Sequence, residues 1–245
     1  MTDVFIVDAC RTPLDKVGGA LSSVRPDDLA ALTFRALLRR NPLLDPNLVD
    51  DVIWGAANQA GEDNRDVARM AALLAGLPDT VPGVTVNRLC ASGMSAVVAG
   101  ARAIASGEVE IVIAGGGESM TRAPFVLGTA DRGYPEPIER ADTRLGWRLV
   151  NPAMELAYPV VSLGETAEIV ADRYAVTRDR QDEFALRSHL LALAAWESGV
   201  FGVEVVGVES DDEPVTRDEG IRADTSIEAL SALPPVFRTD GTVTA

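Results

Sequence analysis

Short apolar runs and longer amphipathic stretches alternate along the first half of the chain. The apolar runs have the length and composition of buried strands and cover residues 4–8, 51–54, 84–87 and 111–114. Between them, apolar residues at helical spacing predict a helix over 26–40, and further helices are predicted over 65–75 and 92–106, which are closed by Gly76 and Gly107. Strands separated by helices in this order predict βαβ units and a mostly parallel α/β sheet.

The pattern changes after residue 119. Glycine, proline and arginine are frequent from 120 to 165 and apolar periodicity is weak, although the segment is too long for a simple connection. Helices are then predicted over 165–174 and 178–198, the second with a capping pattern that starts at Thr177, and a strand over 201–208. We therefore divide the chain into two domains, 1–119 and 120–245.

The predicted helix over 92–106 has an unusual composition. It is apolar or small on every face except at Arg102. A helix of this kind is normally buried on all sides. Because a single sheet covers only one side, we expect a second domain or a partner chain to cover the other.

The composition excludes several classes of protein. Hydrophobic residues make up 47% and charged residues 24% of the 245 positions, which argues against disorder. The formal net charge of −15 argues against nonspecific nucleic-acid binding, although a few local arginines can still hold an anionic small molecule. No apolar run approaches the ~18 residues of a membrane span, and the first residues do not resemble a secretory signal.

The two cysteines, Cys10 and Cys90, are too few for a disulfide framework, which favours a reducing cytoplasm. Together with the single histidine they are also too few for a zinc site of the usual kind, so we expect no metal. Cys10 lies in a strand-like run, and we interpret it as a small core residue.

Cys90 has a different setting. It follows a predicted strand and precedes the helix that begins Ala91, Ser92, Gly93, which is the strand–turn–helix arrangement that holds a nucleophile on a sharp turn. A helix N-terminus favours the thiolate, the reactive form of cysteine, and small neighbours allow a substrate to approach. From this context alone, Cys90 is either a buried core thiol or a catalytic nucleophile.

The segments VNRLCASGMSAV and AGGGESMTRAPFV resemble the thiolases, coenzyme A-dependent acyltransferases that make or cleave 3-oxoacyl thioesters. The resemblance extends in order through VDACRTPLDKVGGALSSVRPDDLAA, LGETAEIVADRYAVTRDRQDEFALRSH and FRTDGTVTA, and so covers essentially the whole chain. VNRLCASG and RLGWRLVNP look most like the degradative thiolases that act on 3-oxoadipyl-CoA in aromatic breakdown. The implied fold is the N-terminal half of a thiolase, with helices on both faces of the sheet and an inserted loop domain, and without the C-terminal half.

The resemblance implies a specific chemistry. Cys90 would attack an acyl-CoA and form an acyl-enzyme, with its own backbone N–H helping to bind the developing oxyanion. The substrates would be acyl-CoA and coenzyme A, with no further cofactor, and the enzyme a homodimer or homotetramer. Within the domain over 120–245, the segment from 120 to about 208 matches the loop domain that cradles coenzyme A, and the remainder is an incomplete return to the sheet.

Two further residues match substrate-binding positions of the family. Arg222, in EGIRADTS, matches an arginine near the adenine and phosphate end of coenzyme A; the alternative is a solvated loop charge. Leu163, in LGETAE, stands where many thiolases carry a methionine at the acyl site; the alternative is a core residue. The glycines Gly115–Gly117 could bind phosphate, but we favour close backbone approach beside Cys90.

Thiolase chemistry also needs a histidine and a second cysteine from motifs of the GHP and CxGGG kind, and neither motif occurs in these 245 residues. His189, in the middle of the helix over 178–198, is interpreted as a surface or packing residue. We therefore expect a truncated thiolase with little activity alone that is poorly soluble or self-associating. The alternatives are a non-catalytic module for coenzyme A binding or assembly and, more remotely, a cysteine hydrolase that uses His189.

Overall fold

The computed structural model describes residues 3–58, 61–129, 133, 138–210 and 213–244. The chain forms two compact units. The first consists of Met1–Pro124 and Val203–Glu219, and the second of Phe125–Gly202 and Gly220–Ala245. The functional division into 1–119 and 120–245 stays a prediction.

A three-stranded parallel sheet organises the first unit. The central strand β1 (Asp51–Gly55) pairs on one edge with β2 (Gly83–Val86) and on the other with β3 (Val112–Gly116). Helices α1 (Pro26–Arg40), α2 (Val67–Ala75) and α3 (Ser92–Ser106) follow the predicted order. The expected α/β class and parallel sheet are therefore confirmed.

The helices cover both faces of this sheet. Helices α1 and α2 pack together over the face that carries Val52 and Trp54, and the ring of Phe34 meets Trp54 edge to face with centroids 5.0 Å apart. This cluster holds most of the buried apolar residues of the unit. Helix α3 lies on the opposite face, where a Cβ on Gly100 would contact Val112 and Ala114. Small residues on α3 thus bring the helix close to the sheet.

Two predicted strands are absent. Residues 4–8 form no strand, and Phe5, Ile6 and Val7 are 78%, 81% and 85% exposed. Residues 201–203 belong to a 3-10 helix, Val200–Val203. After it, Val205 and Val208 each form a single bridge. Both predictions are wrong for the same reason. An apolar run indicates burial, whereas a strand also needs several consecutive pairs with a partner. In the described chain Val205 and Val208 make only single bridges, to Arg11 and Val215, and residues 4–8 make none.

A groove of about 1150 Å³ adjoins the extended N-terminal segment within the first unit. It is bordered by Val4–Val7, by α1 and by the strand β3, and most of its lining is apolar. The segment therefore leaves its own side chains and part of the sheet uncovered.

Helix α3 is covered on one side only. Ser92, Ala96 and Gly100 are buried, whereas Met94 is 74% exposed.

The described chain has one window, Leu89–Ser106, with the length and composition of a membrane span. This corrects the expectation that no such stretch exists. The 15 residues of α3 span only ~22 Å, short of the ~30 Å hydrocarbon core of a bilayer. One such window is weak evidence, and the absence of a membrane partner stays a prediction.

The second unit is mainly helical. A short antiparallel pair, β4 (Phe125–Leu127) and β5 (Arg140–Asp142), and helix α4 (Pro152–Ala157) occupy the segment in which sequence periodicity is weak. Helices α5 (Leu163–Tyr174) and α6 (Arg178–Glu197) lie within two residues of their predicted bounds. The side chains of Ser162 and Thr177 cap them, and a short helix α7 (Ile227–Ser231) follows.

A buried carboxylate fixes the last described residues to α5. Glu168 is 1% exposed and accepts hydrogen bonds from the backbone N–H groups of Thr242 (3.0 Å) and Val243 (2.9 Å). Beside it, Arg238 forms ion pairs with Glu165 at 2.6 Å and Asp172 at 2.7 Å. These contacts place the segment FRTDGTVT along the helix.

Candidate functional site

Cys90 lies at the carboxyl edge of the parallel sheet, between the end of β2 and the start of α3. Its thiol is free and exposed, so within the first unit Cys90 is not a buried core residue. The carboxyl ends of β1 and β3 reach the same edge, because all three strands run parallel. This edge is where open α/β sheets commonly bind ligands.

The turn that carries Cys90 is backbone-strained. Leu89 has a φ of 51°, in the left-handed region that costs a residue with a side chain about 1–2 kcal/mol. Its backbone N–H donates to Oδ1 of Asn87 at 2.9 Å, and its carbonyl oxygen accepts from Oγ of Ser92 at 2.6 Å. Strain of this kind persists where the surroundings hold it, and it is common at functional sites.

Glycines allow the backbone to close around this turn. A Cβ on Gly55, at the end of β1, would overlap the backbone of Ser92. A Cβ on Gly116, at the end of β3, would lie 2.8 Å from Cα of Gly93. Within the glycine run at 115–117, Gly116 therefore serves close backbone approach to the start of α3, whereas Gly115 and Gly117 face the ring of Trp54.

The start of α3 supplies hydrogen-bond donors. No side chain caps this helix: the N-cap residue is Ala91, and the first turn contains no acidic residue. An uncapped helix N-terminus presents backbone N–H groups and a partial positive charge, which favour an anion or a developing oxyanion. The N-terminus of α3 can therefore perform the electrostatic part of acyl chemistry at Cys90.

Two carboxylates, Glu118 and Asp63, lie close to the segment that follows β1. Glu118 accepts hydrogen bonds from the backbone N–H groups of Ala57 at 2.7 Å and Asn58 at 3.2 Å. Nearby Asp63 is buried, and burial, reinforced by the negative charge of Glu118, raises its pKa to about 6. The sequence did not identify either carboxylate. Asp63 and Glu118 are far apart in the chain, and no local sequence pattern shows that the fold brings them together.

Cys10 has a packing role. Its half-buried thiol donates to the carbonyl oxygen of Thr33 at 3.5 Å, and burial raises its pKa. Among the residues described, no three histidine, cysteine or acidic side chains are grouped so as to hold a metal ion.

The other predicted site residues lie in the second unit. Leu163 is the first residue of α5 and 69% exposed, which disagrees with a core role. Arg222 is exposed, and within the described chain its guanidinium forms no ion pair. The backbone N–H of Arg222 donates to Nδ1 of His189 at 3.2 Å, a contact that the sequence did not indicate.

Phe237 is a further residue that the sequence analysis missed. Its ring lies directly on Gly164, next to Leu163, where any Cβ would overlap the ring. The glycine in LGETAE is the one local signal that an aromatic ring could approach this helix start.

Comparisons with known proteins agree with this arrangement. The family model described as the thiolase N-terminal domain matches residues 4–245. The beta-ketoadipyl-CoA thiolase of Pseudomonas putida is 55% identical over 249 residues, covering 100% of this chain and 62% of the relative. The 3-oxoadipyl-CoA/3-oxo-5,6-dehydrosuberyl-CoA thiolase of Escherichia coli K12 is 50% identical, with the same two coverages.

Solved structures give the same result. An acetyl-CoA acetyltransferase from Bacillus anthracis superposes with a TM-score of 0.86 at 39% identity. Human mitochondrial 3-ketoacyl-CoA thiolase in complex with CoA superposes with a TM-score of 0.87 at 33% identity. Each alignment covers 98% of this chain and 60% of the other. The chain thus spans about three-fifths of the length of the relatives it matches.

Proposed function

The chain belongs to the thiolase family, whose N-terminal domain it matches over residues 4–245, and on this premise we propose that it supplies the nucleophile for acyl transfer between coenzyme A thioesters. The observation that carries the proposal is the exposed thiol of Cys90 on a strained turn at the uncapped start of α3. An acyl donor can reach this thiol, and the developing oxyanion would lie beside backbone N–H groups.

The proposed reaction has two steps. In thiolysis, the Cys90 thiolate attacks the 3-oxo carbon of a 3-oxoacyl-CoA, the bond between C2 and C3 breaks, and the departing acetyl-CoA carbanion takes a proton. The thiol of a second coenzyme A then attacks the acyl-enzyme thioester and releases a shortened acyl-CoA and the free cysteine. The names of the bacterial relatives support a 3-oxoadipyl chain, and hence a role in aromatic degradation, as the acyl group.

We assign substrate contacts to the second unit. Arg222 would pair with the phosphates of coenzyme A, since its guanidinium is exposed and outside any ion pair formed among the described residues. Leu163 would line the acyl site with its exposed side chain. A cytoplasmic location and a homodimer or homotetramer belong to the same proposal. The two free cysteines support the location, and the uncovered face of α3 supports the association of subunits.

Complete turnover needs a base for the thiol and a donor for the leaving carbanion. The only histidine in these 245 residues is His189, whose Nδ1 accepts a hydrogen bond from the backbone of Arg222. We therefore expect the 245-residue chain to be acylated slowly at Cys90 and to show negligible thiolysis. Robust cleavage of 3-oxoadipyl-CoA or acetoacetyl-CoA by the purified chain would contradict this expectation.

Acetyl-CoA labelling tests the nucleophile directly. Intact-mass and peptide analysis should detect one acetyl group on Cys90, absent in Cys90→Ser and retained in Cys10→Ser. A folded protein that binds coenzyme A but acquires no acetyl group would overturn the acyl-transfer proposal. That result would favour the non-catalytic binding module.

A further inference from the structure

We propose that Asn87 and Ser92 are positioning residues for Cys90, because their side chains hold both backbone hydrogen-bonding groups of Leu89. Leu89 immediately precedes Cys90, so its conformation sets the direction of the cysteine peptide. The inference rests on the proposed role of Cys90 as the nucleophile. It concerns how the thiol is presented and not which substrate it attacks.

The hydroxyl of Ser92 joins two peptide groups of the turn. Its Oγ accepts a hydrogen bond from the N–H of Arg88 at 2.8 Å and donates one to the carbonyl oxygen of Leu89 at 2.6 Å. The backbone N–H of Ser92 donates to the same carbonyl oxygen at 3.0 Å. Ser92 is only 4% exposed, so water cannot readily replace its hydroxyl. Loss of this oxygen would remove the hydrogen bond to the N–H of Arg88 and one of the two hydrogen bonds to the carbonyl oxygen of Leu89.

Asn87 joins the turn to the rest of the sheet edge. Its Oδ1 accepts from the N–H of Leu89 at 2.9 Å, and its Nδ2 donates to the carbonyl oxygen of Ala57 at 2.9 Å. The N–H of Ala57 is in turn bound by the carboxylate of Glu118 at 2.7 Å. A continuous series of hydrogen bonds therefore links the segments that follow β1, β2 and β3. The turn is fixed relative to all three strand ends.

The two side-chain hydrogen bonds to Leu89, from Asn87 and Ser92, form what we call the clamp, and they add to the backbone hydrogen bond that the N–H of Ser92 donates to the same residue. Its φ of 51° is unfavourable for a residue with a Cβ, and glycine would adopt it freely. The side chain of Leu89 is 71% exposed and cannot fix the backbone by packing. Without the two side-chain hydrogen bonds, we expect Leu89 to relax towards negative φ and to turn the Cys90 peptide away from its present direction.

Alkylation of Cys90 by iodoacetamide tests the clamp without any coenzyme A thioester. The rate is read on the Cys90 peptide of the full chain by mass spectrometry. We expect Ser92→Ala and Asn87→Ala, each of which removes two hydrogen bonds, to change the rate by about threefold or more. Asn87→Ser, whose shorter side chain can still accept from the N–H two residues later, should restore part of the original rate.

The matched control is Ser106→Ala, on the same helix, whose hydroxyl donates to the carbonyl oxygen of Ala103 at 3.0 Å far from the turn. It should leave the alkylation rate unchanged. Circular dichroism and thermal unfolding of each variant separate a local change from a loss of fold. Because Asn87 is exposed, Asn87→Ala keeps the test available if Ser92→Ala fails to fold.

Leu89→Gly provides a second test, because glycine adopts the left-handed conformation without support. In the Leu89→Gly background, the added substitution Ser92→Ala should change the rate by less than about twofold. Unchanged rates in folded Ser92→Ala and Asn87→Ala, or equal effects with and without Leu89→Gly, would overturn the clamp. Absence of acetyl transfer to Cys90 would refute the proposed function and leave the alkylation result intact.

Discussion

The backbone of Gly55 lies directly against that of Ser92, so that the end of β1 and the start of α3 meet without space for a Cβ. We predict that Gly55→Ala lowers the free energy of unfolding by about 1–3 kcal/mol, since the added carbon forces strand and helix apart. The same displacement should alter the alkylation rate of Cys90. Chemical denaturation and the Cys90 alkylation rate measure the two effects.

Gly93→Ala is the matched control. A Cβ on Gly93 would lie 3.7 Å from Gly116, an ordinary contact, and alanine is favoured over glycine within a helix. Its unfolding free energy should stay within about 1 kcal/mol of the parent or rise. Equal destabilisation by both substitutions would refute the interpretation of Gly55 as the point of close approach.

Asp63 should make the first unit less stable as pH rises. Burial and the neighbouring Glu118 raise its pKa from 3.8 to about 6, with Asp27 and Glu62 adding to the negative field. The folded chain therefore binds this proton more tightly than the unfolded chain. Its favourable contribution is complete below about pH 4 and is lost as pH rises to about 6. Asp63→Asn should increase the unfolding free energy at pH 7 by at most about 3 kcal/mol and have little effect at pH 4.

Asp50→Asn is the control of opposite sign. The carboxylate of Asp50 accepts from the backbone N–H groups of Ile111 at 2.9 Å and Glu110 at 2.7 Å, and these hydrogen bonds lower its pKa. Its substitution should destabilise the chain at neutral pH and have a smaller effect in acid. If the unfolding free energy of Asp63→Asn changes with pH as that of the parent does, Asp63 is not the titrating group.

The bounds of α1 and α3 follow from the sequence because their signals are local. Pro26 starts α1, whose apolar residues recur at helical spacing, and Gly107 closes α3. The run over 4–8 has an equally clear apolar signal, yet it forms no strand. Strand formation depends on a partner elsewhere in the chain, which composition does not reveal. Local order is predictable here, whereas pairing is not.

The candidate site divides in the same way. The strand–turn–helix around Cys90 is a continuous segment, so its geometry could be predicted from that segment alone. The hydrogen bond from Asn87 to Ala57 and that from Arg222 to His189 join residues 30 and 33 positions apart. Such contacts follow from the packing of whole elements, and single-sequence patterns do not contain them.

Glu168 should couple the stability of the second unit to pH. Burial raises the pKa of its carboxyl group, but the N–H groups of Thr242 and Val243 outweigh that effect, so the pKa lies below the usual value. Its stabilising contribution is therefore present above the unfolded pKa, about 4.3, and is lost as pH falls below it.

Glu168→Gln should lower the thermal unfolding midpoint at pH 7 and flatten its decline in acid. The amide cannot accept at both former oxygens, and its NH₂ would face backbone donors. Glu183→Gln, an exposed position on α6, should leave both the midpoint and its pH dependence unchanged. An acid-sensitivity curve of Glu168→Gln that overlays that of the parent would exclude this role for the carboxylate.

The exposed apolar segment at 4–7 should drive self-association of the chain. Phe5, Ile6 and Val7 lie open to solvent beside the large apolar groove, and contiguous apolar surface of this kind favours contact with another molecule. Burial of one such side chain contributes about 1.5–3 kcal/mol, so Ile6→Lys should weaken association about tenfold or more. Thr80→Lys changes the net charge equally at an exposed polar position and should have little effect. Sedimentation velocity over a concentration series measures both variants; association that is equally strong in Ile6→Lys and Thr80→Lys would place the contact on another surface.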